Sequence, residues 1–546
     1  MTTDAIPSTE DALIEHVRSA KAALLDDARA EKVAKQHARG KLTARERIAI
    51  LTTDFFEIGG LAGPGPSNNG AAPLVAPADG VVTGIGYVDG RPVALAAYDF
   101  TVLGGSNGAV GMAKVERLAE RALHDRIPLV MLMDGGGHRM QEALDSRLAA
   151  PGSGFLLKLG DLSGYVPLVA AMLGPGFGAP ANIASCCDFV TIVRGQGTMG
   201  LSSDFLVKNG TGEDATNEEL GGADACARRG VVDLAVDDEH EALDAVRLYL
   251  SYLPSWQDGA QNLGDPAALP GPDAVRIDHL VPASMRTAYD VREVVEALCD
   301  DESVFEVKAA WAPNVVCAFA RLGGRPVGIV ANQPQHLGGA LDGPACEKAG
   351  VFIATCDAFG LPLVVLIDLP GFLVGVAAEE SRLVRRSARI GYELGNASVP
   401  RAVVVTRKAY GAAYVVMGGG RSIDADLSLA WPTAEICAIP VESAVDIAFR
   451  SEYENAADPA AKRAELIAMF RANIDPVLAA DGFGVDDVVL PSETRRLLVE
   501  CFGRTQPRRA PRVPGKRRSI TPPEAQASVG ASASLGSRVR LIELMQ

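Results

Sequence analysis

The chain has 546 residues, 48% of them hydrophobic, and a formal net charge of −16. That length and apolar content suit two or more domains with large cores, and the acidic balance argues against broad nucleic-acid or anionic-membrane binding. Nine scattered cysteines without a C-x-x-C pair give no zinc ribbon and no disulfide framework, and the first sixteen residues carry acids but no apolar core of a signal peptide. The expectation is a soluble cytoplasmic protein with no membrane span and no metal.

In chain order, residues 9–36 are charged, Ala-rich and helically spaced, and Thr43 with Glu46 predicts a capping box at the start of a second helix. Residues 90–108 (GRPVALAAYDFTVLGGSNG) then return as 324–342 (GRPVGIVANQPQHLGGALD), so that Arg91 and Arg325 stand 234 positions apart. The same offset carries Lys114 onto Lys348 and PLVMLMDGGG from Pro128 onto PLVVLIDLPG from Pro362. Self-similarity at one long offset, with the apolar runs in phase, means two copies of one folded unit. Each copy reads as strand, Gly-rich loop, helix (109–124; about 344–359), short apolar strand, Gly-containing loop, helix, strand. That alternation predicts parallel β–α–β crossovers with strands buried on both faces, an α/β fold. The Pro-, Gly- and Asp-rich stretch 254–275 reads as a linker, and the tail from about 504 as a basic, disordered segment. The division is an N-terminal helical segment (1–36), a first domain (37–255), a linker (256–288), a second domain (289–505) and a flexible tail (506–546).

There is no G-x-S-x-G elbow, no H-E-x-x-H and no P-loop, and the GPGFGAP run at Gly174 lacks the spacing of a dinucleotide loop. Seven histidines do not supply a base to both halves, and His37, His138 and His336 read as structural. What recurs is small residues after strands: Gly178 and Ala179 in the first copy, Ala412 and Ala413 in the second at offset 234, with Gly136-Gly137 and Gly371-Phe372 as secondary candidates. Small residues at a strand-to-helix turn let a carbonyl approach the backbone, where N–H groups at the helix start point outward. Two such donors aimed at one oxygen form an oxyanion hole, worth roughly 3–4 kcal/mol per donor to a developing enolate. Two holes suit a reaction that passes through two enolate-like species.

KQHARGKLTARERI (35–48), YDFTVLGGSNG (98–108), DGGGHRMQE (134–142), GEDATNEELGGA (212–223), VANQP (330–334), RKAYGAAYVVM (407–417) and AWPTAEI (430–436) resemble the carboxyltransferase (β) subunit of biotin-dependent acyl-CoA carboxylases. The resemblance runs from about 10 to 505. It implies two tandem crotonase-like β–β–α superhelix domains, a homo-hexamer built as a dimer of trimers, and an active site between the N domain of one protomer and the C domain of another. It further implies acyl-CoA as substrate and carboxybiotin delivered by a biotin carboxylase/biotin carboxyl carrier α subunit, with no cofactor bound covalently. On this reading the Gly178/Ala179 amides hold the thioester oxygen, the Ala412/Ala413 amides hold biotin's ureido oxygen, and biotin is its own base. Exclusion of water protects the carbanion and the CO₂. The family pattern has Gly-Gly and Gly-Ala at the two pairs and Ser-Gly-Gly-Ala-Arg where this chain has Gly135-Gly136-Gly137-His138-Arg139. Arg139 and Lys114 are expected to meet coenzyme A phosphates, and Val415, two residues past the second donor, to border the acyl chain. Alternatives of the same sequence are a decarboxylase acting on a malonyl-type thioester and a non-catalytic scaffold that binds the α subunit.

Overall fold

The computed structural model describes residues 9–64, 74–144, 154–420 and 425–505. In the N-terminal half, β1 (Thr53–Ile58), β2 (Val81–Val88), β3 (Arg91–Tyr98), β4 (Leu129–Met133), β5 (Leu168–Met172), β6 (Phe189–Val193) and β7 (Leu234–Val236) form one sheet in chain order. The first three are antiparallel and the rest parallel. In the C-terminal half, β8 (Phe305–Val307), β9 (Val315–Leu322) and β10 (Arg325–Asn332) are antiparallel. Parallel strands β11 (Leu363–Leu369), β12 (Arg401–Tyr410), β13 (Leu427–Ala430) and β15 (Asp487–Val488) follow, while β14 (Glu435–Cys437) pairs with the far end of β12.

The expected crossovers are thus present, and each copy gains an antiparallel hairpin that strand periodicity alone did not reveal. Its turns are Asp89-Gly90 and Gly323-Gly324, both residues of each in left-handed backbone (φ 47° and 76°; 58° and 76°), the conformation a two-residue hairpin loop requires. The capping box holds: Thr43 accepts from the Glu46 amide and the Glu46 carboxylate accepts from the Thr43 amide, opening the helix Ala44–Leu51. The duplicated helices are Ala109–Asp125 and Gly343–Ala358.

Both faces of both sheets are buried. One face of the N-terminal sheet (Ala96, Met131, Ala170) packs on its own helices, and one face of the C-terminal sheet (Ile329, Val364, Val404) does the same. The opposite faces, with Leu95, Val130 and Val169 from one half and Val330, Val365 and Val403 from the other, belong to a single continuous core. A chain of aromatic rings crosses the boundary. Phe189 on β6 stacks on Tyr249 at 4.6 Å, Tyr249 meets Phe319 on β9 edge-on at 5.5 Å, and Phe319 meets Phe352 at 4.9 Å. Beside it the Lys308 amide donates to Asp233 O and the Lys308 ammonium pairs with the Asp233 carboxylate at 3.1 Å. Trp311 fills the space where a side chain at Gly230 would stand. The linker is strapped down as well: Gln261 donates to Phe359 O, and the Arg321 guanidinium to Ser251 O and Asn262 O. Among the described residues no helix is long and apolar enough to cross a membrane.

Because the two sheets share one core, they should lose structure together. Tyr249→Ala removes the central ring of the chain and is expected to cost about 3–5 kcal/mol. Urea unfolding followed by tryptophan fluorescence and far-UV dichroism should keep coincident transitions at a lower midpoint; separated transitions would contradict a shared core.

Candidate active site

At the carboxyl ends of the parallel strands the two copies build the same backbone. The Gly-rich loop after β3 runs Leu103-Gly104-Gly105 with φ of 51°, 65° and 65°, and the loop after β10 runs Leu337-Gly338-Gly339 with 51°, 62° and 84°. A Cβ on Gly105 would lie 2.0 Å from Asp134 O, and one on Gly339 2.4 Å from Asp368 O, so only glycine lets each loop lie against the next. Across that contact the Asn107 amide donates to Gly137 O (2.8 Å) and the Arg139 amide to Asn107 O (2.9 Å). In the other half the Leu341 amide donates to Gly371 O (3.1 Å) and the Leu373 amide to Leu341 O (2.8 Å).

The following pair of loops corrects the sequence register. Leu129 on β4 stands opposite Leu168, whereas Leu363 on β11 stands opposite Arg401, so beyond this point equivalent residues are one position closer than the 234 offset. The left-handed glycines confirm it: Gly178 (φ 73°) corresponds to Gly411 (φ 68°), and Ala179 to Ala412. Both positions that require positive φ have kept glycine, and the alanines fall in right-handed helical backbone, so they strain neither loop. Gly178 caps the helix Ala179–Ala184, Gly411 opens the helix Gly411–Val416, and no side chain caps either start.

The N–H groups sort themselves further. That of Gly178 is spent on Gly200 O (2.9 Å) and that of Gly136 on Gly104 O (3.2 Å). Those of Gly137 and Ala179 meet no acceptor among the described residues. The two loops touch here, since a Cβ on Gly137 would be 3.2 Å from Phe177 O. In the second half Gly371 has open space around it, and its amide likewise meets no acceptor among the described residues. Ala412 is exposed, Ala413 is buried, and Phe372 is half-buried against the shared core. The first half therefore carries the Gly137 and Ala179 amides on two touching loops, and Gly371 and Ala412 stand at the corresponding places of the second half.

A buried carboxylate stands behind each loop. Asp134, at the end of β4, accepts from the Lys41 ammonium (2.6 Å) and Gln36 (3.1 Å) and forms an ion pair with the Arg47 guanidinium (2.8 Å), which also grips Glu239 with two bonds of 2.6 and 2.7 Å. The 35–48 motif, which carries the helix cap and part of the family resemblance, also supplies the cations that converge on this aspartate. Asp368, at the equivalent place, takes the Arg407 guanidinium and the Lys408 ammonium, each at 3.0 Å. Burial pulls the Lys41 and Lys408 ammonium groups below their ordinary value, opposed by the aspartate beside each.

Two expected phosphate ligands are otherwise engaged. The Arg139 guanidinium is 1% exposed and pairs with Asp79 and Glu142, so it cannot reach a solvent-borne phosphate. Lys114 donates to Ala78 O (2.8 Å) and Val81 O (2.6 Å), and burial lowers its ammonium to about 8. Its counterpart Lys348 donates to Trp311 O and Ala312 O, so in both copies the lysine satisfies the carbonyls of a left-handed turn (Ala78 φ 52°, Ala312 φ 46°). Val415 is 65% exposed and lies one helical turn beyond Ala412, on the same face.

Two β–β–α superhelical units with Gly-rich loops at the carboxyl ends of their central strands define a duplicated crotonase-like fold. The carboxyl transferase domain family matches residues 35–520, and the chain belongs to it and is an acyl-CoA carboxyltransferase. It is 39% identical over 495 residues, 89% of this chain and 94% of the other, to the propionyl-CoA carboxylase carboxyltransferase subunit of Haloferax mediterranei. It is 36% identical over 500 residues, 90% of this chain and 95% of the other, to the methylmalonyl-CoA decarboxylase subunit alpha of Propionigenium modestum. A crystal structure of transcarboxylase 12S, a hexamer with methylmalonyl-CoA and methylmalonic acid bound, superposes with a TM-score of 0.87 at 37% identity over 94% of this chain and 99% of that one.

Ala179→Pro deletes one donor without breaking an intrahelical bond, because the first helical N–H has no acceptor within the helix. Carboxylation of an acyl-CoA should fall by on the order of 10²–10³ in kcat with unchanged thermal unfolding. A variant of near wild-type kcat would remove Ala179 from the donor set.

Proposed function

We propose that this chain is the carboxyltransferase subunit of a biotin-dependent acyl-CoA carboxylase, and that it carboxylates the α carbon of an acyl-CoA. The observation that carries the reading is the duplicated donor loop, each copy backed by a buried, doubly paired aspartate. In the first half the Gly137 and Ala179 amides hold the thioester oxygen as negative charge gathers there when the α proton leaves. In the second half Gly371 and Ala412 face the ureido oxygen of biotin. Carboxybiotin, carried in by a separate biotin carboxylase/biotin carboxyl carrier subunit, supplies the carboxyl group and the base.

Exposed apolar residues flank both loops, Leu144, Leu157, Leu201 and Phe205 on one side and Val374, Val376, Val384 and Val415 on the other. Exposed apolar side chains of this kind favour burial in an assembly, and we assign them to a homo-hexamer, a dimer of trimers that sets the first half of one protomer against the second half of another. The enzyme works in the cytoplasm, in fatty-acid metabolism. A second reading, decarboxylation of a malonyl-type thioester, is favoured by the likeness to the Propionigenium modestum subunit; the two differ in partner, a soluble biotin carboxylase or a membrane decarboxylase complex.

The deciding assay combines the purified chain with its biotin-carrying partner, ATP, bicarbonate and a panel of acetyl-, propionyl-, butyryl- and longer acyl-CoA. ATP-dependent appearance of a malonyl-type thioester supports the proposal, and no carboxylation of any thioester defeats it. Val415 offers a small apolar wall beside the donor helix, and one methylene there is worth roughly 1–3 kcal/mol, so several chain lengths should be accepted. Val415→Asp should alter the kcat/KM ratios among acetyl, propionyl and butyryl thioesters by about 10-fold or more; parallel loss on all three would remove this residue from specificity.

A further inference from the structure

Arg139 forms the centre of a buried network whose residues have no charged counterparts at the corresponding positions of the second half. Its guanidinium meets Asp79 Oδ1 and Glu142 Oε1, and also reaches Ser106 O and Asp79 O. The second oxygen of each carboxylate accepts from the start of the helix Ala109–Asp125, Asp79 from the Gly111 amide (2.6 Å) and Glu142 from the Ala109 amide (2.7 Å). The fit is close enough that a Cβ on Gly108 would lie 2.2 Å from Arg139 Nη1. Through its own backbone Arg139 donates to Asn107 O, and Asn107 donates to Gly137 O. One unbroken set of bonds therefore runs from a helix terminus to the loop that carries the Gly137 amide.

Pro313, Leu373 and Val376 stand at the corresponding positions of the second copy. There Asp342 caps the helix through the Ala345 amide, Asn314 donates to Asp342 and Ala340 O, and the ion pair on that helix, Glu347 with Arg386, reaches Ser381 O, so among the described residues no charged group ties that helix to the Gly371 loop. Leu373 and Val374 are instead exposed. A guanidinium clamped between two carboxylates fixes direction as well as distance, because its planar fork leaves little rotational freedom.

We infer that Asp79, Arg139 and Glu142 are positioning residues for the acyl-CoA side of the reaction alone: they hold the Gly137 amide in register with Ala179, and the biotin side works without such a device. This inference rests on the carboxyltransferase reading. Glu142→Gln retains size and an acceptor for the Ala109 amide but removes the negative charge that faces Arg139, and Arg139→Lys retains the positive charge but loses the fork. Thioester carboxylation should fall in kcat by about 10-fold in E142Q and further in R139K, part of the 10²–10³ expected for losing a donor outright, with KM for acyl-CoA within about 2-fold. Decay of carboxylated free biotin in the absence of thioester, which uses only the second half, should stay unchanged. Hydrogen exchange by mass spectrometry should quicken in residues 135–142 and remain constant in the helix Gly411–Val416.

A raised KM at constant kcat would make Arg139 a substrate ligand and overturn the inference. Equal loss in both reactions, or unaltered exchange in the 135–142 loop of E142Q, would reduce the network to scaffolding and overturn it too. Should R139K fail to fold, E142Q alone decides. The exchange measurement needs no turnover, so an inactive wild-type enzyme would count against the carboxyltransferase reading and leave this test standing.

Discussion

A carboxylate buried at the end of a central parallel strand is costly unless it is paired, and Asp134 and Asp368 are each buried directly before a donor loop. Their cations pin the loops. Asp134 draws in Lys41 and Arg47 from the segment preceding the first sheet, and Arg47 in turn binds Glu239 at the start of the helix that lies between the halves. Removing one member of such a set leaves an uncompensated buried charge, worth about 3–5 kcal/mol. Backbone donors are useful for catalysis only when they cannot turn away, so the electrostatics behind the loops and the geometry in front of them are parts of one constraint.

Duplication shows which features the chemistry demands and which are local solutions. The left-handed glycines, the loop-to-loop backbone bonds, the aspartate and the lysine on left-handed carbonyls occur in both copies. The sources of charge do not. The first half takes its cations from the segment that precedes its sheet, whereas the second takes Arg407 and Lys408 from the adjacent strand β12. The first half adds an ion network around Arg139; the second leaves an exposed apolar loop. Two sites with one backbone plan and different supports suit two substrates that each need an oxyanion held but differ in everything else.

The strands, the major helices, the Thr43 cap and the existence of paired donor loops were legible in the residues themselves, because apolar periodicity, turn chemistry and self-similarity are local or nearly local. The hairpins were signalled by Asp89-Gly90 and Gly323-Gly324. The one-residue register change was signalled by Val166-Pro167 and Val399-Pro400, which stand one position closer than the rest of the repeat. Reading the offset as constant paired Gly178 with Ala412 and Ala179 with Ala413, whereas the strand register pairs them with Gly411 and Ala412.

The sequence by itself determined that two copies of a parallel α/β unit exist, that small residues follow their central strands, and that the chain resembles the carboxyltransferase family. Tertiary structure alone decided which amides are free. Gly178 and Gly136 look like free donors until Gly200 O and Gly104 O are seen to accept their N–H groups. It also decided the fate of the cations, because an arginine or a lysine reads as a phosphate ligand until burial beside Asp79, Glu142 or a left-handed carbonyl is known. Hydrogen-bond satisfaction and desolvation are properties of what packs alongside a group from distant parts of the chain, and no local pattern in the sequence records them.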